Sequence, residues 1–266
     1  MDCRSVFATV LFLFCNMQAI AGQPISVAVI IDDVGINLEN GKRAIQLPGS
    51  VTYAFLPYAR HSISLANRAN ENGKEVILHM PMENVMDRPI DPGGLTHYLN
   101  QDDFKFVLNR AIDRIPHIRG ISNHMGSYLT QQPKQMNWLM DELKRREMFF
   151  LDSRTIAKSL AATIAKEKHI PQTSRDVFLD NTKTFIEIDL AFQTLLNRAR
   201  KKGSAIGIAH PFDVTLAYLE AALPKLNSQN IRLVSASDVV ALQTMQRNEA
   251  LLVKSKSDES GTLGSE

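Results

Sequence analysis

Five short apolar runs in this chain end abruptly in polar clusters that carry Asp or His. They are VAVIIDD (27–33), EVILH (75–79), GISNH (120–124), MFFLDSR (148–154) and AIGIAH (205–210). A short run rich in Val, Ile and Phe reads as a buried strand. Polar groups gathered at strand ends are how α/β folds build active sites on loops above a packed core. One such ending means little; five imply that residues far apart in sequence converge on one pocket.

Further strand-like runs lie at 51–56, 176–179 and 232–235. Helix-like stretches alternate with the strands, at 61–72, 102–114, 133–146, 186–202, 215–227 and 237–245. Strands separated by helices predict a parallel α/β array. In the length available this reads as a distorted (β/α) barrel of about seven parallel strands. No G-x-G-x-x-G follows the first strand, which argues against a dinucleotide fold.

The N-terminus reads as a signal peptide over residues 1–21: Arg4, an apolar stretch at 6–14, and an Ala19-Ile20-Ala21 cleavage site. The apolar stretch is short for a membrane span, although an uncleaved anchor is the competing expectation. Both cysteines, Cys3 and Cys15, fall inside this segment, so the mature chain carries none. Export without disulfides fits a bacterial periplasm, with no stable membrane span after cleavage. Residues 22–246 read as one domain and 247–266 as a disordered tail rich in Ser, Gly and charge. The net charge of +2 and the single Trp give no support to a nucleic-acid partner.

Asp32 and Asp33 close the first run, and Gly35 allows a steep turn just after them. Adjacent residues on a strand point different ways, so one carboxylate can bind a metal while the other acts as a base; alternatively, Asp33 caps the next helix. His79 is a ligand or a hydrogen-bonded core histidine, and Glu83, four residues on, offers a further oxygen. His124 sits in a polar turning segment, Ser122 to Ser127, whose burial calls for a bound partner. Arg154 can orient a carboxylate or hold an anion, or simply pair with Asp152 at the surface. His210, before Pro211, suits a general acid or base. Asp180 is a further candidate for the rim, whereas His61, His97, His117 and His169 lack the strand-end setting. An Asp with two His suits a divalent cation, zinc best, in a hydrolytic centre.

The segments VAVIIDDVG, GKEVILHMPME, GISNHMGSYLT, FFLDSRT and GSAIGIAHPF, in this order, resemble the divergent polysaccharide deacetylases, relatives of the NodB-type carbohydrate esterases. The resemblance covers residues 25–242, nearly all of the mature domain. It implies a distorted (β/α) barrel with its site at the strand C-terminal ends. It implies Asp32 as base, Asp33 as ligand and His210 as acid. The family's His-x-x-x-His pair is met by His79, but Glu83 stands in place of the second histidine. Either Glu83 binds the metal or His124, from the next strand, completes the set; His124 is the favoured choice.

The implied activity is a metal-dependent removal of N-acetyl or other acyl groups from an envelope carbohydrate. The competing expectations are a non-catalytic envelope protein that binds glycan or a protein, and a hydrolase acting on a phosphoester.

Overall fold

The computed structural model describes residues 25–262, with side chains as far as 249. The expected signal segment lies outside the described residues. Nine parallel strands form one sheet: β1 (Ile25–Val34), β2 (Thr52–Phe55), β3 (Glu75–Met82), β4 (Ile118–Met125), β5 (Phe149–Asp152), β6 (Gln172–Ser174), β7 (Val177–Phe178), β8 (Ser204–Ala209) and β9 (Ile231–Leu233). Their order is β6-β5-β4-β3-β2-β1-β8-β7, with β9 paired to the start of β1. Between them run α1 (Leu38–Ile45), α2 (Ser62–Glu71), α3 (Gln101–Arg114), α4 (Pro133–Arg145), α5 (Ala161–Glu167), α6 (Phe185–Lys202) and α7 (Asp213–Ala222), and α8 (Ala236–Thr262) follows β9.

The topology forces the sheet to curl. β6 and β7 lie at opposite ends of the pairing order, yet only Arg175 and Asp176 separate them in sequence. Three peptide steps span at most roughly 11 Å. Arg175 N donates to Asp152 O on β5 at 2.9 Å, and Asp176 N donates to Ile206 O on β8 at 2.9 Å. One dipeptide therefore bridges a seam where β6 and β7 do not pair. The result is a distorted parallel barrel, as the sequence predicts.

Period-two alternation sorts the side chains. Ala28, Ile30, Ala54, Ile77, Leu151, Ile206 and Ile208 fill the interior, which Ala236, Val239 and Val240 of α8 help to plug. The intervening positions, such as Val29, Leu78, Ile121 and Phe150, pack outward against the helices. Gly120 faces inward, and a Cβ there would meet the Phe149 ring at 2.7 Å. That glycine makes room for a large interior aromatic ring.

Local chemistry sets the helix ends. Asn37, Asn100 and Thr184 accept hydrogen bonds from Asn40 N, Asp103 N and Glu187 N as N-caps. Gly203 ends α6 at φ +84.

Several element bounds differ from the sequence expectation. β3 and β4 run past His79 and Ser122, to Met82 and Met125. Pro81 in β3 has no N–H to donate, while its carbonyl accepts from Leu95 N at 2.8 Å. β6 is too short and polar to announce itself. The helix expected at 215–227 stops at Ala222 and gives way to 3-10 turns at Leu223–Lys225 and Asn227–Gln229. Pro224 removes the N–H that would continue it. α8 runs past the expected end at 245, to Thr262, through Asn248-Glu249-Ala250-Leu251-Leu252, a run mostly of good helix formers.

Gly35 has φ +122, and a Cβ on it would lie 2.0 Å from Ser62 Oγ. That hydroxyl donates to Leu56 O at 2.5 Å and ties α2 to the end of β2. Gly35→Ala is expected to cost about 3 kcal/mol or more through strain and overpacking. Thermal unfolding should fall by on the order of 10 °C; an unchanged midpoint would refute this account of the turn.

Candidate metal centre

β1 delivers two consecutive carboxylates to the same place, contrary to the expectation that they point different ways. Asp32 follows Ala28 and Ile30 in the interior register. Its pairing partner β2 shifts register between Ile31 and Val34, and Asp33 adopts φ +56. This bulge turns Asp33 back toward the interior. His79 follows Ile77 on β3, and His210 follows Ile208 on β8, in the same inward register. Ser122 and His124 follow Gly120 on β4.

Asp33 is the hub. Its Oδ1 lies 2.8 Å from His124 Nδ1 and 3.3 Å from His79 Nε2, and its Oδ2 lies 3.6 Å from His210 Nε2. His79 Nε2 is also 3.5 Å from Asp32 Oδ2. His79 Nδ1 and Ser122 Oγ are 2.7 Å apart, which fixes the ring and leaves Nε2 facing the carboxylates. Asp32 is buried, at 2 % exposure.

The contacts around Asp33 are close but off-axis. Asp33 Oδ1, Asp32 Oδ1 and His124 Nε2 are buried atoms without a hydrogen-bond partner of proper geometry. Unsatisfied buried acceptors are costly. One ligand atom each from Asp33, His79 and His124 lies within 4.8 Å of the others. One oxygen and two imidazole nitrogens, converging without satisfying one another, fit a divalent cation.

Electrostatics separate the groups. Burial dominates at Asp32 and raises its carboxyl above the usual range, against the pull of His79 and His210. Burial also works to raise Asp33, but the contacts with His124 and His79 outweigh it and hold the group far below the usual range. Burial works to lower His124 and His210, yet both are raised, His124 mainly by Asp33 and His210 mainly by Asp180.

His210 is held firmly. Asp180 Oδ2 accepts from His210 N at 2.7 Å and from Thr215 Oγ1 at 3.0 Å, while Asp180 Oδ1 lies 3.1 Å from His210 Nδ1. The ring sits between Phe178 and Phe212, with centroids at 5.1 and 5.4 Å. This leaves Nε2 directed at Asp33.

Three expected site residues fall outside the cluster. Glu83 does not join the ligand set: both its oxygens hold His97, at 2.8 and 2.7 Å from Nδ1, and its Oε2 also accepts from His97 N at 2.8 Å. Asp152 lies on the outer register of β5, opposite in sense to Leu151. Its oxygens accept from Arg154 N and Ser159 Oγ, both at 2.8 Å, and staple the following loop. Arg154 is exposed, with φ +46, and contacts no member of the cluster.

Two residues join from places the strand-end pattern treats lightly or not at all. Asp180 follows β7 and could be read from Phe178-Leu179-Asp180, another apolar run closed by a carboxylate. Asp91 lies in the loop between β3 and α3, 3.0 Å from His124 Nε2 through Oδ2. No local signal marks it.

A cavity of about 270 Å³ adjoins the cluster at Asp91 and is otherwise walled mainly by Ile36, Leu56, Pro57, Tyr58 and Pro81. A cavity of about 930 Å³ opens beside α8 at the other ends of the strands and is lined by no member of the cluster.

The sequence model of the divergent polysaccharide deacetylase family matches residues 29–240. The chain belongs to this family. As a divergent polysaccharide deacetylase it is similar to an uncharacterized protein of Haemophilus influenzae, 36% identical over 212 residues, covering 80% of this chain and 75% of the relative. It is 31% identical to the uncharacterized protein YibQ of Escherichia coli, over 89% of this chain and 73% of YibQ. Among solved structures it resembles uncharacterized protein ATU2773 of Agrobacterium tumefaciens, with TM-score 0.78 and 26% identity over 84% of this chain and 90% of that one.

Proposed function

We propose that this divergent polysaccharide deacetylase is a metal-dependent hydrolase that removes N-acetyl groups from a carbohydrate of the cell envelope, in the periplasm. The observation that carries the proposal is the convergence of Asp33, His79 and His124 on one point, flanked by Asp32 and His210. Export rests on the sequence pattern of residues 1–21. No helix among the described residues is long and apolar enough to cross a membrane.

Asp33, His79 and His124 would hold a divalent cation, which would supply Lewis acidity toward an acyl carbonyl. Asp32, buried and with its carboxyl raised, accepts the proton of the attacking water. His210, whose pKa is raised by Asp180 against the effect of burial, gives the Nε2 proton to the departing nitrogen as the C–N bond breaks. The apolar walls of the cavity at Asp91 suit an acyl group.

Acetate release from N-acetylated oligosaccharides by the metal-loaded protein tests the proposal. A protein that holds metal tightly yet releases no acyl group from any of them would favour the second reading, a glycan-binding protein. Glu83 favours that reading, because the position of the family's second histidine is given over to holding His97.

The pH dependence follows from His210. Its raised pKa keeps the acid form available above the ordinary histidine range, and activity is lost as pH rises through the folded value. Stability from the Asp180 pair runs the same way, present below the unfolded value and lost above the folded one. Asp180→Asn is expected to move the basic limb of kcat/KM to lower pH and leave the acidic limb in place. A basic limb that does not move would remove His210 from the role of acid.

A further inference from the structure

The seam between β6 and β7 holds a second polar site. A pocket of about 500 Å³ lies there, and Arg154, Arg175, Lys202 and Arg247 are among the residues that line it. Its one carboxylate is Asp176. That group is fully occupied: Oδ1 pairs with Lys202 Nζ at 2.8 Å and Oδ2 accepts from Ile206 N at 3.0 Å. Among the described residues no carboxylate forms an ion pair with the three arginines.

The guanidinium groups are positioned by backbone oxygens. Arg175 donates through Nε to Ser153 O at 2.6 Å and through Nη2 to Arg154 O at 2.8 Å, and it lies over the Phe178 ring at 5.0 Å. Arg247 donates through Nη2 to Gln172 O at 3.2 Å and Thr244 Oγ1 at 3.1 Å. Neutral carbonyls fix these groups without cancelling their charge. Burial and the nearby charges of Arg154 and Arg198 disfavour the charged form of Arg175. Clustered like charges in a cleft focus a potential that attracts the opposite sign, and planar forks match carboxylate and phosphate oxygens.

No member of the metal cluster lines the pocket, but Arg175 and Ser153 link the two. Arg175 feels the charge of Asp32 as well as that of Asp152. Ser153, whose carbonyl Arg175 holds, is 2 % exposed and its Oγ is a buried atom without a partner. Ser153 N donates to Asn123 Oδ1, beside His124, at 2.9 Å.

We infer that the seam pocket binds an oxyanion carried by the substrate, so that the preferred carbohydrate bears a carboxylate or a phosphate near the acylated sugar. This rests on the deacetylase reading for its substrate, but its first test does not. Inorganic phosphate is titrated into the full chain by calorimetry, with His79→Ala included so that any binding at the metal centre is removed. Binding should survive His79→Ala and weaken at least tenfold in Arg247→Gln and in Gln246→Glu, the second of which adds a carboxylate to the pocket. Phosphate affinity that is unchanged in both variants, or no phosphate binding, overturns the inference.

The second test compares N-acetylated oligosaccharides that are neutral, carboxylate-bearing or phosphate-bearing. One anionic series should show a KM at least tenfold below the neutral one, and which series does so identifies the group. Arg247→Gln should erase that ratio. Equal KM values for all three would overturn the inference even with deacetylation intact. Absence of turnover on all three would instead overturn the deacetylase reading, leaving the anion site to stand or fall on phosphate binding.

Discussion

His79→Ala and His124→Ala are each expected to lose tight divalent-metal binding, whereas Glu83→Gln should keep it. The separation follows from geometry. His79 and His124 each present a nitrogen to Asp33 Oδ1, at 3.3 and 2.8 Å, while Glu83 is committed to His97. Even outer partners of metal ligands cost about 10–100-fold in affinity when removed. Loss of a direct ligand should therefore exceed roughly 100-fold. Metal that binds the native state at about a thousand times its Kd adds on the order of 4 kcal/mol. For a domain of this size that raises the unfolding midpoint by on the order of 10 °C. Metal content of the purified variants, with thermal scans in zinc and in chelator, reads both effects. Retention of metal by both histidine variants, or its loss from Glu83→Gln, would sink the assignment.

Asp32→Asn should abolish acyl release while leaving the metal in place. Asp32 is buried beside His79, yet one of its oxygens has no hydrogen-bond partner. Its amide analogue keeps the shape and removes the proton acceptor. General-base contributions are about 10²–10⁴-fold, and a loss of that order in kcat with near-native metal content is expected. A loss of activity that tracks loss of metal would instead make Asp32 a ligand. Full activity would exclude it as the base.

Much of this arrangement was legible in the chain because strand alternation is strict. Ile30 and Asp32, Ile77 and His79, and Ile208 and His210 each share an inward register, so reading the strand ends led to the right rim of the barrel. The same rule, applied more closely, would have excluded Asp152, since Leu151 takes the inward place on β5. Glu83 misled for a different reason. Sequence spacing placed it near a ligand, but a loop residue follows whichever partner the fold brings to it, here His97. Asp91 could not be found at all, because an irregular loop has no period. The β6–β7 seam leaves no trace in the sequence: β7 falls within the strand expected at 176–179, but β6 is three polar residues and buries too little apolar surface to leave a pattern.

The pairing irregularity in β1 has a consequence for how this sequence tolerates change. One surplus residue between Ile31 and Val34 is what allows neighbouring acids to share a single chamber. Deleting it would restore an orderly ladder and a better-formed strand, but the residue removed is itself one of the two acids, which leaves a single carboxylate in the chamber. Here regularity and reactivity oppose each other, and a shorter, tidier first strand would belong to a sound barrel with no chemistry.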